Sequence, residues 1–386
     1  MSAILPGATI GILGGGQLGR MMAMAARAMG YKVHVLDPDP ACPARYVVDE
    51  LIEAGWKDTW AAANLARECA VVTLEIEQVL IASMDAAAKF APVRPGSAML
   101  AIIQDRTEQK DWLLRNGFPV GRYRVCRTLD QLREAVEALG GRCFVKSAMG
   151  GYDGRGQAKI GFAVGANVED EITEAWDDLR GEPCVAEQAL ALKQEISVMV
   201  ARSPRGEVTV FPAAENHHEH QILEWSVIPA GVPAETEARA RKIAGEIADA
   251  FNLEGLLAVE IFLTEEGELL VNELAPRPHN SYHGSERACV TGQFEQAIRA
   301  VCDLPLGDVS LVQPTAIANL LGEVWLDENG ETREPKFDDA LAVPGVRLHL
   351  YEKLTPRRGR KMGHLSAVGA SAGEALERVL SAKDRL

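Results

Sequence analysis

Residues 9–16 read TIGILGGG, a short β-branched apolar run that breaks on three consecutive glycines. Leu18, Met21, Met22 and Ala25 follow at helical spacing, and Gly30 ends that helix. The alternation continues with a strand over 33–36 stopped by Asp37 and Pro38, a helix over 59–69, a strand over 71–74 and an alanine-rich helix over 83–90. Strands that alternate with helices in this way form a parallel sheet with right-handed crossovers, which excludes an all-helical or all-antiparallel start.

Past Pro92 and Pro95 the pattern changes. Helices over 106–116, 129–139 and 168–179 and strands over 120–126, 142–147 and 157–162 describe a small α+β lobe. Strands over 195–201 and 207–213 then flank a Ser203-Pro204-Arg205-Gly206 turn, and a helix over 235–251 carries one apolar face. Two more strands, 256–263 and 269–274, flank the Glu266-Gly267 turn, and the tail from about Asp308 reads as strand-rich. The fold class expected is α/β and α+β in three parts. They are an open parallel Rossmann-like domain over 1–95, a small α+β lobe over 96–190, and an antiparallel β-rich lobe over 191–386. A length of 386 residues accommodates two or three domains.

With 40 Lys+Arg against 55 Asp+Glu the net charge is −15, which repels phosphate backbones and anionic lipid surfaces. Neither nucleic acid nor membrane is expected as a partner. No run approaches the ~20 apolar residues of a membrane span, and no basic leader precedes the first strand, so a cytoplasmic location is expected. The 7 cysteines are widely spaced with no CxxC pair, which points to reduced buried thiols rather than disulfides or a thiolate zinc site.

Gly14, Gly16 and Gly19 satisfy GxGxxG between strand and helix, and Asp37 ends the next strand. That is a dinucleotide fingerprint on physical grounds, although the same loop also serves as a tight turn or as the site of another ligand. A second loop follows the strand ending in Lys146 and holds Gly150, Gly151, Gly154 and Gly156. Its amides can fold over phosphates while Lys146 supplies a point charge; a solvated hairpin is the plainer alternative. Glu260 lies in AVEIFL and Glu273 ends LLVNE, so a hairpin can put both on one face. Two like charges there need a cation, and hard oxygen donors with Asn272 beside them suit Mg²⁺. Strand lysine, glycine lid and paired carboxylates together describe an ATP site.

Three other constellations are less specific. His217, His218 and His220 with Glu219 have no further His or Cys near in sequence, so no transition metal is expected. Arg357, Arg358, Arg360 and Lys361 form a basic patch suited to an anionic phosphate. Trp56, Trp60 and Trp112 read as core or interface aromatics.

On these residues the chain resembles the ATP-grasp superfamily and, within it, the N5-carboxyaminoimidazole ribonucleotide synthetases of purine biosynthesis. The resemblance runs through GILGGGQLGRM at 11–21, VLDP at 35–38, GGYDGRGQ at 150–157, EISVMVAR at 195–202, AENHH at 214–218, VNELAPRPHNS at 271–281, GQFEQ at 292–296 and GRKMGH at 359–364. It implies an ATP-grasp fold in which the first glycine loop lies near the substrate and holds no NAD. For ATP it implies Arg106 and Lys146 on the phosphates, and Gly151, Tyr152, Asp153, Gly154, Arg155, Gly156 and Gln157 as the lid. It puts Glu187, Gln188, Ala189 and Leu190 along the adenine, Glu195 on the ribose, His218 beside the nucleotide, and Glu260, Glu273 and the adjacent Asn272 on Mg²⁺.

For the ribonucleotide the resemblance implies Gly16, Gln17, Glu75, Tyr152, Asp153, Lys353 and Arg360, the last two on its phosphate. Lys146, Arg277, His279, Asn280 and Ser281 would serve the chemistry, the last four near bicarbonate and the transferred carboxyl group. Tyr282 and Glu352 depart from the family pattern, adding bulk beside the bicarbonate residues and negative charge beside Lys353. The implied activity is ATP-dependent ligation of bicarbonate to 5-aminoimidazole ribonucleotide through carboxyphosphate, giving ADP and phosphate, in a homodimer. The alternatives are another ATP-grasp carboxylase, a formate-using ribonucleotide transformylase, a nicotinamide-dependent dehydrogenase on the first glycine loop, and a non-catalytic nucleotide-binding regulator.

Overall fold

The apolar runs of the first segment form four parallel strands in the computed structural model, which describes residues 2–150, 156–165 and 167–386. They are β1 (Thr9–Leu13), β2 (Lys32–Asp37), β3 (Glu50–Glu53) and β4 (Val71–Leu74), in the order β3-β2-β1-β4. Ile10, Ile12, Val33, Val35, Val71 and Val72 have no exposed surface, as a parallel sheet covered on both faces requires. The accompanying helices are α1 (Gln17–Ala28), α2 (Thr59–Arg67), α3 (Ile81–Ala87) and α4 (Ser97–Gln104). The carboxyl ends of β1, β2 and β4 bring the first glycine loop, Asp37 and Glu75 to one edge.

Helix α5 (Arg106–Arg115) starts at Asp105, whose carboxylate caps it by accepting from the Thr107 amide at 2.8 Å. The small lobe then comprises β5 (Tyr123–Cys126), α6 (Leu129–Ala138), β6 (Cys143–Ser147), β7 (Gln157–Ile160), α7 (Val168–Asp178) and β8 (Cys184–Gln188). Its sheet is antiparallel in the order β5-β8-β6-β7. Side chains alternate across it: Cys143, Val145, Cys184 and Ala186 join the core under α6 and α7. Lys146 and Glu187 therefore point from the opposite face.

The large sheet holds β9 (Leu192–Arg202), β10 (Val208–Val210), β11 (Ala214–Glu219), β12 (Ile222–Ile228), β13 (Gly255–Thr264), β14 (Leu269–Ala275), β15 (Thr315–Leu321), β16 (Val346–Leu350) and β17 (Lys361–Val368). Its order is β14-β13-β9-β11-β12-β15-β17-β16, with β10 on β9. Five helices accompany it: α8 (Ala234–Ala250), α9 (Ser285–Ala288), α10 (Gln293–Val301), α11 (Phe337–Leu341) and α12 (Ala372–Lys383). Ile196, Val198 and Val200 pack with α8 residues Ala240, Ala244 and Ile247. Met199, Ala201 and Ala258 face α10 residues Phe294 and Ile298. Ser197, Glu260 and Glu273 are in register with one another across three strands, and period-two alternation puts them on that second face. The apolar half of the face lies under α10, and the polar half forms the floor of the site.

Several elements differ from the sequence-based expectation. The strand expected over 207–213 is only Val208–Val210, since Pro212 offers no N–H to a ladder. The tail is not simply strand-rich, because α12 closes it. Trp112 stacks on Phe251 at 3.6 Å between ring centroids, in keeping with the core alternative, while Trp60, 74% exposed, retains only the interface alternative.

Candidate functional site

Five basic and acidic side chains from four elements meet where the small lobe faces the large sheet. Glu187 Oε2 lies 3.2 Å from Lys146 Nζ and 3.3 Å from Lys110 Nζ. Lys146 also donates to Asn272 Oδ1 at 3.2 Å, and Arg106 donates to Glu273 Oε2 at 3.2 Å. These contacts join β6, β8 and α5 to β14. Burial alone would raise the Glu187 carboxyl, but Lys110, Lys146 and Arg106 outweigh it and hold the group down at about 2. Lys110, fully buried, is pushed below the usual lysine range by that burial.

Glu260 and Glu273 are direct partners across the β13–β14 hairpin, and a register irregularity follows Glu260. Burial and the neighbouring Glu273 charge raise Glu260. Glu273 is lowered: burial opposes its charge, and Arg106 and Lys146 overcome that. Asn272 Nδ2 donates to Glu260 Oε2 at 3.3 Å. Two facing carboxylates whose protonation is driven apart, beside an amide oxygen, form a donor set of the kind a hard divalent cation takes. His218 Nδ1 sits 2.7 Å from Glu195 Oε2. Burial lowers His218, yet Glu195 and Glu260 outweigh it and the net shift is upward.

The segment after β14 closes over this floor. Arg277 Nη2 lies 2.7 Å from Glu77 Oε1. His279 Nδ1 is 2.8 Å from Ser281 Oγ and its Nε2 is 3.4 Å from Glu260 Oε1. Burial, with Arg277 next, holds His279 well below the usual histidine range, so its ring is neutral at pH 7. The Ser281 Oγ also accepts from Ser197 Oγ at 2.9 Å. Asn280 is buried with neither Nδ2 nor Oδ1 hydrogen-bonded. The Tyr282 ring does not crowd these groups: its hydroxyl donates to the carbonyls of Ser197 and Pro212, at 2.8 and 2.9 Å, inside the core.

The first glycine loop is filled by protein carboxylates. Gly16 and Gly19 donate their amides to Glu75 Oε1 and Oε2 at 2.9 and 3.0 Å, and Gly15 donates to Asp37 Oδ2 at 2.7 Å. A Cβ on Gly16 would come 2.4 Å from Glu75 Oε1, so glycine here serves the approach of Glu75. Glu75 therefore occupies the helix N-terminus where a dinucleotide reading would put a pyrophosphate. Burial pushes its carboxyl up to about 7. Beside it Lys353 donates to Gln17 Oε1 at 2.6 Å. The Glu352 charge is taken up by Arg20, through contacts of 2.8 and 3.1 Å, rather than by Lys353. Arg360 donates to the Thr355 carbonyl at 2.7 Å.

Of the residues singled out from sequence, Arg106, Lys146, Glu187, Asn272, Glu273, Glu260, His279 and Ser281 are brought together, with Glu195 and His218 alongside. Gly16, Gln17, Glu75 and Lys353 form a second group at the edge of the parallel sheet. In the 187–190 stretch the amides of Gln188 and Ala189 are already donated, to the Arg122 and Arg142 carbonyls, which removes those two donors for a base. Gly151, Tyr152, Asp153, Gly154 and Arg155 lie outside the described residues, while Gly156 and Gln157 lead into β7. The histidine cluster is splayed: His217 stacks on Trp225 and His220 is 93% exposed. Lys110 and Glu77 were not anticipated. Lys110 follows Arg106 by one helical turn on the buried face that also carries Gln109 and Leu113.

Comparison with known proteins covers nearly the whole chain. Family models match at residues 7–104 (ribonucleotide synthetase preATP-grasp domain), 112–294 (ATP-grasp domain) and 315–378 (phosphoribosylaminoimidazole carboxylase C-terminal domain). The N5-carboxyaminoimidazole ribonucleotide synthase of Bacillus subtilis is 42% identical over 94% of this chain and 92% of its own. That of Brucella melitensis is 38% identical over 95% and 98%. Among solved structures, the Staphylococcus aureus N5-carboxyaminoimidazole synthetase complexed with ADP superposes with a TM-score of 0.90 at 35% identity, covering 99% of this chain and 98% of that one. The Aspergillus clavatus synthase, in complex with ADP and 5-aminoimidazole ribonucleotide, gives 0.87 at 30% identity over 98% and 99%.

Proposed function

Because the chain belongs to the N5-carboxyaminoimidazole ribonucleotide synthase family of ATP-grasp ligases, an ATP-dependent group acting in purine biosynthesis, we propose that it carboxylates 5-aminoimidazole ribonucleotide with bicarbonate by the following division of labour. Residues 1–95 and the Lys353–Arg360 segment hold the ribonucleotide, residues 96–190 cover ATP, and residues 191–386 supply the floor and the carboxyl-transfer groups. The observation that carries this reading is the convergence of Lys146, Arg106, Glu260 and Glu273, from different sheets and helices, on one face.

Arg106 and Lys146 neutralise the triphosphate and the charge that spreads over the transferred group. Lys110 stays behind them, paired with Glu187. Glu260 and Glu273, with Asn272, would hold Mg²⁺, which offsets the carboxylates and phosphate oxygens when bound. A bicarbonate oxygen attacks the γ-phosphorus, the bond to the β–γ bridging oxygen breaks, and ADP leaves carboxyphosphate behind. The ribonucleotide amine then attacks the carboxyl carbon, and phosphate departs with the bicarbonate oxygen. Neutral His279 is placed to take the proton the amine loses, with Ser281 orienting its ring. Asn280 has a free donor and acceptor, which suits a ligand as small and polar as bicarbonate. Glu75, Gln17 and Gly16 line the ribonucleotide end.

We also place the enzyme in the cytoplasm as a homodimer. No helix among the described residues is long and apolar enough to cross a membrane. The exposed Val290, Leu311 and Val312 offer an apolar ridge to a second copy. Phosphate release tests the reaction: it should require magnesium, bicarbonate and aminoimidazole ribonucleotide together. Release driven by formate in place of bicarbonate would favour a transformylase, and release indifferent to the ribonucleotide would overturn the assignment.

A further inference from the structure

Gln293, in the GQFEQ segment, has no part in the reaction as described, yet it holds the turn that carries three of its groups. It is fully buried at the first position of α10. Its Oε1 accepts from the His279 amide at 2.8 Å, and its Nε2 donates to the His279 carbonyl at 3.0 Å. The same Nε2 lies 3.2 Å from His283 Nδ1. Its backbone amide donates to Ser285 Oγ at 3.0 Å, and that hydroxyl donates to the Tyr282 carbonyl at 2.6 Å. One residue thus hydrogen-bonds both backbone polar groups of His279, whose carbonyl also accepts from the Tyr282 amide at 3.0 Å, and anchors the far end of the same turn. A side-chain amide offers an acceptor and two donors in one plane, and here all three have partners.

We propose that Gln293 is a positioning residue for carboxyl transfer: it fixes the His279-Asn280-Ser281 turn over Glu260 without touching a substrate. The proposal rests on the function given above. A carboxylate at this position could still accept from the His279 amide but would face the His279 carbonyl with no hydrogen to donate. The turn would then shift, and a misplacement of about 1 Å at a reacting group can cost about 100-fold in rate. ATP phosphates contact Arg106 and Lys146, which Gln293 does not touch, so the two halves of the reaction should come apart.

The test uses the full-length enzyme with Gln293→Glu and Gln293→Met, the second keeping length while removing every side-chain hydrogen bond. Phosphate release and carboxylated product are measured side by side, with ADP affinity by calorimetry. The expected result in both variants is a product-forming kcat lower by at least about tenfold, less than one product per phosphate, and ADP affinity unchanged. A kcat near that of the wild type with one product per phosphate would overturn the proposal. So would a matching loss of ADP affinity in both variants, which would assign Gln293 to the fold as a whole. A wild-type enzyme releasing no bicarbonate-dependent phosphate would instead remove the underlying function, and this proposal with it.

Discussion

Glu75, at the end of the parallel sheet, and Glu187, on the small lobe, are carboxylates with less than a tenth of their surface exposed. Each has hydrogen-bond or charged partners at about 3 Å, yet one is pushed up to about 7 and the other down to about 2. Glu75 is met by the amides of Gly16 and Gly19, which satisfy its oxygens but bring no net charge, so burial dominates. Glu187 is met by two ammonium groups and lies in the field of a guanidinium, and these overcome the same penalty. The first region, where the ribonucleotide is proposed to bind, can change protonation near neutrality. The second, proposed for the triphosphate, is a fixed lattice of charge.

The largest effect that sharpens this contrast is on stability. Glu187→Gln leaves Lys110 and Lys146 buried without their counter-charge and should cost about 3–5 kcal/mol in urea unfolding. Glu75→Gln leaves no buried charge behind and should cost about 1 kcal/mol; equal losses would break the comparison. Next, Glu273→Gln should lower kcat by about 100-fold while far-ultraviolet circular dichroism is unchanged. Turnover at the wild-type rate would remove Glu273 from the ATP floor.

The pH dependence follows with opposite signs. Glu75 keeps its proton in the folded state up to about 7 but loses it near 4.3 when unfolded. Its contribution to stability is therefore complete below about 4.3 and declines by up to about 4 kcal/mol as pH rises through 7. Glu187 contributes fully above about 4.3 and loses that contribution as pH falls toward 2. Unfolding free energies of the wild type and Glu75→Gln between pH 4.5 and 8 should diverge in slope across the first window, and parallel slopes would refute the upward shift. The smallest effect expected is for Arg360→Ala, which should raise the ribonucleotide KM about tenfold, the worth of one hydrogen bond to a charged group, with little change for ATP.

How much of this was legible in the sequence depends on whether the partners are local. Glu260 and Glu273 could be read as one face because hairpin alternation fixes it, and the strand end at Lys146 was equally plain. Glu75 as the occupant of the glycine loop could not be read from spacing, because its partners Gly16 and Gly19 lie on a different strand-to-helix turn. The pairing of Glu352 with Arg20 spans 332 residues and is set by tertiary packing. Bulk alone placed Tyr282 in the bicarbonate pocket, whereas its hydroxyl found two core carbonyls instead. Other signals were present and passed over. Ser371 caps α12 by accepting from the Glu374 amide at 3.2 Å, and the Glu374 carboxylate in turn accepts from the Ala370 amide at 2.6 Å, one residue short of a strict capping box but signalled by the same Ser-x-x-Glu pattern, SAGE. Lys110 was legible too, one turn from Arg106.

Bicarbonate labelled with heavy oxygen tests most directly the claim that this charged floor directs the γ-phosphoryl group onto bicarbonate. With aminoimidazole ribonucleotide and ATP present, each phosphate released should carry one labelled oxygen, transferred when the carboxyl carbon is captured by the amine. Phosphate free of label, its new oxygen drawn from water, would contradict the account.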